Sequence, residues 1–282
     1  METGIALMVL GAALFHATWN ALVKSGKDHL LSITGLNFVS LVIGVIALPF
    51  IGFPDKASWL YLLVSGLIHF GYYVALSEAY KHGDFSQAYP VARGTAPILV
   101  SLWGVFILNE FMSTVELISL IGVMTGILIF ATRKLETVVQ NKVALISALC
   151  TSMFIAGYTL TDGVGGRLSG NVPGYMLALS VIDGMLIMIY TAIVRSPAAV
   201  WNTWKSWKIL VPGALLSLAA YTMVVWAMTR APIPLVSALR ETSIIIAALI
   251  GAFYFKEPSG KRRIIASIVI FISVAILGFD SG

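Results

Sequence analysis

The sequence contains few charged residues and almost no cysteine. Only 11% of its 282 residues are Asp, Glu, Lys or Arg, whereas a soluble globular domain carries about 25%. The single cysteine, Cys150, excludes an internal disulfide bond and a cysteine metal cluster. The four histidines are dispersed, and neither an HExxH nor a GxSxG motif is present. These shortages do not favour an enzyme, and we expect no catalytic residues, no cofactor and no metal site.

Apolar residues, in contrast, are abundant. They make up 59% of the chain, and the mean hydropathy is +0.93. A helix needs about 20 apolar residues to cross a bilayer, and ten such runs leave no room for a soluble domain. We therefore predict an all-α membrane protein with ten transmembrane helices, at about residues 4–23, 30–53, 58–80, 86–108, 115–132, 142–162, 172–194, 208–229, 233–255 and 263–279.

The net charge of +5 comes mostly from short loops. Lipid headgroups and membrane insertion explain basic loops of this kind better than nucleic acid does. The expected partners are the lipid bilayer and a small-molecule substrate, with no nucleic acid.

One stretch occurs twice. Tyr89-Pro-Val-Ala-Arg93-Gly-Thr95 is echoed by Val236-Ser-Ala-Leu-Arg240-Glu-Thr242 at a shift of 147 residues (93 to 240). The same shift matches Gly104, Phe106 and Glu110 with Gly251, Phe253 and Glu257. An arginine inside a span costs roughly 2.5–3.5 kcal/mol even on the lenient insertion scale. Arg93 and Arg240 are therefore expected to have a function or a partner.

The repeat predicts two five-helix units, 1–137 and 138–282, joined by a hinge at 133–142. Because five is an odd number of crossings, the second unit would enter the membrane in the opposite direction. Inverted-topology repeats of this kind are typical of alternating-access transporters, whose substrate site lies between the two units.

Polar and aromatic residues within the spans are the candidate substrate-binding residues. Several lie three or four residues apart and therefore share one face of a helix. The set comprises His16, Trp19, Asn20, Tyr73, Tyr89, Arg93, Tyr158, Asp162, Arg240 and Glu241. Asp183, alone in the seventh span, is the candidate proton or counter-ion site, because a carboxyl group in an apolar surrounding can exchange a proton.

Two interpretations of the arginines remain open. They either line the substrate path or join the two halves by pairing with Glu241, Asp162 or Asp183. His16 and His69 are likewise either hydrogen-bonded interior residues or proton carriers. Glu110 and Glu257, at the ends of spans, are interpreted as capping or surface-pairing residues.

Several of these motifs resemble the EamA-type drug/metabolite transporter superfamily over the whole chain. The resemblance rests on the two span-closing glutamates and on three runs, His16-Ala-Thr-Trp-Asn20, Gly83-Asp-Phe-Ser-Gln-Ala-Tyr-Pro-Val-Ala-Arg-Gly-Thr95 and Ala156-Gly-Tyr-Thr-Leu-Thr-Asp-Gly163. More narrowly, the chain is similar to a branch associated with phosphonate utilisation. The resemblance implies a ten-helix inverted-repeat carrier in a bacterial inner membrane, which moves small metabolites such as amino acids, commonly outward.

The candidate residues carry both signs of charge, with two arginines against Glu241, Asp162 and Asp183. We therefore hypothesise a zwitterionic cargo, an amino acid or an aminophosphonate, driven by a proton gradient or by exchange. A monomer suffices to enclose a cavity, and a dimer is compatible with the sequence. The alternative is a non-transporting accessory or lipid-translocating subunit of a membrane complex.

The loops give conflicting information on orientation. Of the 18 basic residues, Arg93 and Arg240 lie within spans, Lys56, Arg167 and Arg230 lie on the N-terminal side, and the other 13 lie opposite. The positive-inside rule thus places both termini outside, whereas the family resemblance implies that both are inside.

Overall fold

The computed structural model describes residues 1–23, 28–82, 85–140, 142–246 and 261–279, and these contain helices and turns but no strand. Each of the ten predicted spans is helical over most of its described part, so the all-α prediction is confirmed. The helices are α1 Thr3–Val23, α2 His29–Ile51, α3 Trp59–His82, α4 Phe85–Leu108, α5 Thr114–Gln140, α6 Lys142–Leu168, α7 Val172–Val194, the short α8 Pro197–Asn202, α9 Trp207–Met228, α10 Ile233–Arg240 and α11 Lys261–Phe279.

Several helices have the length and composition of membrane spans. Five candidates are found in the described part of the chain, Thr3–Asn20, Leu30–Ile51, Lys56–Leu76, Val172–Val194 and Pro197–Met228, and two shorter apolar helices cover Arg93–Leu108 and Thr114–Ile127. Large apolar side chains such as Phe50, Phe106 and Phe271 are exposed on the outside of the bundle. Helices suit this environment because they satisfy their backbone hydrogen bonds internally.

Short polar residues begin several of the helices. Asp28 accepts a hydrogen bond from Leu31 N at the start of α2, and Asn171 accepts one from Gly174 N at the start of α7. Before α5, Ser113 and Glu116 form a reciprocal capping box. These caps satisfy N–H groups that have no partner within their own helix.

Two predicted loops are helical instead. The hinge predicted at 133–142 is helix through Gln140, so the predicted 137/138 boundary falls inside α5, and α6 begins at Lys142. Charged residues with good helix propensity continue α5 beyond its apolar part. The break predicted to begin at Gly163 begins only at Ser169. The glycines that precede it allow close packing, since a Cβ at Gly163 would clash with Ile233, and one at Gly165 with Tyr175.

The helices of the first five spans pack mainly against those of the last five. α1 packs along α9, and α3 packs along α6. α3 also touches α7, as α2 touches α9. The pairs α2 with α7, α5 with α11, α4 with α6 and α4 with α10 are further contacts between the two sets of spans.

Glycines allow α2 and α7 to cross closely. A Cβ at Gly44 would lie 2.8 Å from the carbonyl oxygen of Leu177, and a Cβ at Gly184 would lie 2.8 Å from the carbonyl oxygen of Asn37. Because Gly44 follows Asn37 whereas Gly184 follows Leu177, the two helices run antiparallel. Small residues that allow backbones to approach are typical of helix packing in membranes.

One end of the bundle, here called the proximal end, contains the N-terminus and the loops 52–58, 109–113, 169–171 and 229–232. Asp55 N donates to Ser169 O at 2.9 Å, and the Asn171 side chain donates to Ile51 O and Gly52 O. At the opposite, distal end, Arg195 pairs with Asp28 at 3.2 Å.

Glu110 connects four segments at the proximal end. Its carboxylate pairs with Arg167 and accepts the N–H of Ile233 at 2.7 Å. Arg167 in turn donates to Met228 O at 2.8 Å and to Ala231 O at 3.2 Å. The capping interpretation is confirmed for Glu110, although the helix that it caps is α10. Glu257 lies outside the described residues.

The α2–α7 crossing can be tested with an alanine at Gly184. The added methyl group has no room beside the Asn37 backbone, and overpacking of this kind costs about 1–3 kcal/mol. We expect Gly184→Ala to lower the free energy of unfolding in detergent by this amount. Gly11→Ala is the matched control, because its Cβ would lie 3.5 Å from Met223 Cε, an ordinary contact. Equal stability of the two variants would contradict the proposed close contact.

Candidate functional site

A carboxylate shared by two arginines lies in the interior of the bundle. Arg93 Nε lies 2.8 Å from Glu241 Oε2, and an Arg240 terminal nitrogen donates to Glu241 Oε1 at 3.4 Å. All three residues are buried, with Glu241 completely inaccessible. Since Arg93 comes from α4 and the other two from the ninth predicted span, this ion pair joins the first half of the chain to the second. Both arginines are therefore paired with a carboxylate, as the second interpretation predicted.

The ninth span is not a continuous helix. α10 ends at Arg240, and a helical turn resumes at 243–246. Between them, Glu241 N donates to Ala238 O and Thr242 N donates to Leu239 O, three residues back instead of four. From an unbroken helix we expected Arg240 and Glu241 to point about 100° apart and to serve different partners. The tightened turn instead brings their side chains into contact.

The break has a counterpart in the first half. Pro97 has no N–H, so α4 cannot form the hydrogen bond from residue 97 to the Arg93 carbonyl. At the matching position of the ninth span, Ile244 N donates to Glu241 O and not to Arg240 O. Both arginines thus lie where the regular helical hydrogen-bond pattern is interrupted, as at the binding sites of discontinuous membrane helices.

A second buried cluster has two aspartates on either side of an imidazole. His69 Nε2 lies 4.0 Å from Asp162 Oδ2, and His69 Nδ1 lies 3.7 Å from Asp183 Oδ2. Asp162 accepts hydrogen bonds from Tyr175 at 2.9 Å and from Tyr221 at 2.6 Å. The cluster joins α3, α6, α7 and α9.

Tyrosines connect the two clusters. The Tyr158 ring stacks on His69 with 4.1 Å between centroids. Tyr221 bonds to Asp162 through its hydroxyl group, and the Arg240 guanidinium lies 5.9 Å from its ring centroid. Arginine and aspartate are therefore separated by a single aromatic side chain, and the two clusters form one polar region.

The candidate residues of α1 interact with each other. Trp19 Nε1 donates to His16 Nδ1 at 3.3 Å, and the Asn20 amide donates to His16 O at 2.8 Å. His16 Nε2 is buried and has no hydrogen-bond partner among the described residues. The guanidinium groups of Arg93 and Arg240 lie near enough to His16 to act on it electrostatically, and the substrate role of His16, Trp19 and Asn20 stays a prediction.

Tyr73 lies close to the second cluster. Tyr73 donates to the Asn37 amide oxygen at 3.4 Å, and its ring lies 6.2 Å from that of His69. The Tyr89 side chain lies outside the described part of the chain. Asp183, the predicted proton site, lies beside His69 as described above.

The substrate-binding candidates from the sequence did not include Tyr175 and Tyr221, and His69 was interpreted only as an interior residue or a proton carrier. His69 had a local signal, because it lies four residues from Tyr73. Tyr175 reaches Asp162 across the tight α6–α7 turn, so short antiparallel helix connections could have indicated it. Tyr221 had no local signal, because its partners lie on other helices.

These features define the class of protein. Membrane-spanning helices that bury two arginines, three carboxylates and a histidine in one polar region are typical of transporters, since ionisable groups at this depth mark substrate and ion pathways. The model of the EamA-like transporter family matches residues 3–132 and 142–279. The chain belongs to the EamA-like transporter family, and it is a multi-pass membrane protein, consistent with a bacterial inner membrane.

Curated relatives match at least 90% of the chain at low identity. A protein of Latilactobacillus sakei subsp. sakei (strain 23K), named "Putative ribose uptake protein RbsU", is 22% identical over 90% of each chain. A protein of the same name from Lactobacillus johnsonii is 23% identical over 94% of each chain. A solved structure, described only as "Crystal structure of protein", is 18% identical, covers 100% of this chain and 99% of its own, and has a TM-score of 0.77. It shows that the fold is shared.

Removing the Glu241 charge tests the shared carboxylate. Glu241→Gln leaves two buried guanidinium groups without this counter-charge, and breaking a buried pair costs about 3–5 kcal/mol. We expect a loss of this size in the free energy of unfolding. Asp28→Asn, which breaks a half-exposed pair, is the control and costs less than about 1 kcal/mol.

Neutralising Arg93 together with Glu241 completes this test. In Arg93→Gln/Glu241→Gln, one buried cation is removed together with the anion, so we expect less destabilisation than the sum of the single variants. Strict additivity would show that Arg93 and Glu241 do not interact.

Proposed function

We propose that this protein is an alternating-access carrier of a small polar metabolite, built from two five-helix inverted repeats. The observation that carries this proposal is the Arg93–Glu241–Arg240 group, which lies between helices of the two halves at interruptions of their helical hydrogen bonding. We propose that the repeats comprise residues 1–137 and 138–282, with α5 ending at Gln140 and α6 beginning at Lys142. Discontinuous helices at a repeat interface form the substrate sites of such carriers.

Helix packing supports the repeat. When the first five spans are matched with the last five, the α1–α9 contact becomes α6–α3, and the α3–α7 contact becomes the contact of α9 with α2. A shift of 140 residues places Gly44 on Gly184 and Asn37 on Leu177 (44 to 184, 37 to 177), so the two glycine-to-carbonyl contacts exchange. A twofold axis between the halves would produce this pattern.

The proximal end supports a conformational cycle. Its hydrogen bonds, including Glu110 to Ile233 and Asn171 to Gly52, link residues before position 137 to residues after it. A pathway at this end opens only if these bonds break. We propose that their breaking and re-forming accompanies the exposure of the central site to the proximal side.

The finer proposal concerns the cargo, which we propose to be a zwitterion such as an amino acid or aminophosphonate. When ionised, the Arg93–Glu241–Arg240 group carries one net positive charge, and Asp162 with Asp183 carries two negative charges. Arg240 Nε is buried and has no hydrogen-bond partner among the described residues. A carboxylate or phosphonate could bind to this guanidinium, while an amine could bind to the aspartates across Tyr221.

Ribose is the second candidate, favoured by the names of the relatives. Their low identity leaves specificity open, and the hydroxyl groups of Tyr73 and Tyr221 together with the Asn37 amide offer a neutral polyol several hydrogen bonds. Under this alternative the cargo would enter the cell, whereas the zwitterion hypothesis carries the export direction implied by the family resemblance.

A ligand panel distinguishes the cargo classes. The purified protein is heated with alanine, 2-aminoethylphosphonate, ribose or tetramethylammonium, each in large excess. A bound ligand stabilises the native state, by about 2.7 kcal/mol at a hundredfold excess over Kd. We expect alanine or 2-aminoethylphosphonate to raise the unfolding temperature, and Arg240→Lys, which loses the bidentate geometry, to reduce this shift.

Arg195→Ala serves as the control for that variant, because Arg195 is an exposed arginine at the distal end. A shift with ribose alone would support the sugar candidate. Normal transport of a zwitterion by both Arg93→Lys and Arg240→Lys would refute the anion site. In liposomes that contain only this protein, a complete lack of flux for every panel compound would favour the accessory or lipid-translocating alternative.

Orientation is tested with single cysteines at the two ends. On a Cys150→Ala background, Lys56→Cys places a thiol at the proximal end and Lys205→Cys places one at the distal end. With the termini inside, as we propose from the family, an impermeant maleimide added to intact cells should label the distal thiol alone. Labelling of the proximal thiol alone would show that the positive-inside count is correct for this chain.

A further inference from the structure

The imidazole of His69 lies between two buried carboxylates and is the centre of the further inference. Its two ring nitrogens face different aspartates, Asp162 at 4.0 Å and Asp183 at 3.7 Å. We propose that His69, Asp162 and Asp183 form the proton-binding site that couples transport to a proton gradient. This inference rests on the proposed carrier function and assigns its coupling ion and the residues that bind it.

A neutral imidazole can donate to only one of the two carboxylates, while its other ring nitrogen can accept from a hydroxyl such as that of Ser65, 3.2 Å from Nδ1. It carries one N–H, so one ring nitrogen presents a lone pair to a carboxylate, whereas an imidazolium presents an N–H on each side. Two carboxylates in a low-dielectric interior also repel each other unless a cation or a proton lies between them. The group of His69, Asp162 and Asp183 is therefore more stable when it holds one added proton.

The other groups around His69 do not supply that positive charge. On α3, the Ser65 hydroxyl lies 3.2 Å from Nδ1 and Tyr73 flanks the ring. On the facing helices, the neighbours are Tyr158 and Asp162 of α6, Asp183 of α7, and Tyr221 of α9. The nearest described cation, Arg240, lies across the Tyr221 ring and is paired with Glu241.

Asp183 provides a second, independent indication. It is only 7% exposed, and its Oδ1 has no hydrogen-bond partner among the described residues. Asp162, in contrast, accepts two tyrosine hydroxyls. Asp183 is thus the less satisfied of the two carboxylates, and it can take up a proton at the unpartnered Oδ1 or share one with His69 through Oδ2.

The position of the site explains how a proton would affect the cargo. His69 belongs to α3 of the first half, whereas Asp162 and Asp183 belong to α6 and α7 of the second. Protonation would strengthen the attraction between these helices, and deprotonation would weaken it. Because Tyr221 contacts both Asp162 and Arg240, a change at His69 is transmitted to the proposed cargo site. The proton itself enters from water, forms one N–H bond at His69 and leaves by breaking the same bond.

Transport by variants tests this coupling. Liposomes receive the panel compound with the largest thermal shift and a gradient of about one pH unit, which at one-to-one coupling drives about tenfold accumulation. We expect tenfold accumulation by the native chain and simple equilibration by His69→Gln and Asp183→Asn. His69→Gln, which leaves the proposed cargo-binding residues intact, should still exchange labelled for unlabelled compound, at a rate within about threefold of the native chain. Asp28→Asn, a half-exposed carboxylate, should accumulate normally.

A direct proton titration makes the test independent of the cargo. On acidification from about pH 8, the native protein should bind one proton more than Asp183→Asn or His69→Gln. If one of the two variants does not remain monodisperse, the other is compared with the native protein. The proton site would be overturned by undiminished accumulation in both variants. It would also be overturned if accumulation by the native chain did not depend on the pH gradient. No flux by the native chain would instead refute the carrier function, whatever the titration shows.

Discussion

A buried charge requires a counter-charge nearby, and the interior of this bundle is arranged around that requirement. Arg93 of α4 and Arg240 of the ninth span share the carboxylate of Glu241, which has no exposed surface. The desolvation penalty of such ions is large, and close pairing offsets only part of it. Hydrophobic residues of similar volume would be at least as stable, so charges here are better explained by function than by stability.

The backbone around the arginines also helps to pair these buried charges. In an uninterrupted helix Arg240 and Glu241 would diverge, but the tight turn at Glu241–Thr242 brings them together. Pro97 interrupts α4 one turn after Arg93 in the corresponding way. The break in the ninth span therefore determines which side chains meet, and the polar region extends from there through Tyr221 to the carboxylates beside His69.

Much of this architecture follows from local sequence, and the rest does not. Ten apolar runs predicted ten helices, because length and hydropathy are properties of single segments. The Arg93 and Arg240 echo predicted two buried arginines with a partner, and the structure pairs both with Glu241. The helical continuation of α5 to Gln140 was missed because charged residues were interpreted as a loop. The Glu241 turn and the roles of Tyr175 and Tyr221 depend on contacts between distant helices, which spacing along one helix cannot reveal.

The shared carboxylate also has a consequence for biosynthesis. Glu241 is translated 148 residues after Arg93 (241 minus 93), which at about 5–20 residues per second is a delay of roughly 7–30 s. During this interval α4 must enter the membrane before the anion that pairs with its arginine exists. The first five helices therefore reach their stable packing only after the ninth span has been inserted. The folding of the amino-terminal half thus depends on the synthesis of the carboxy-terminal half.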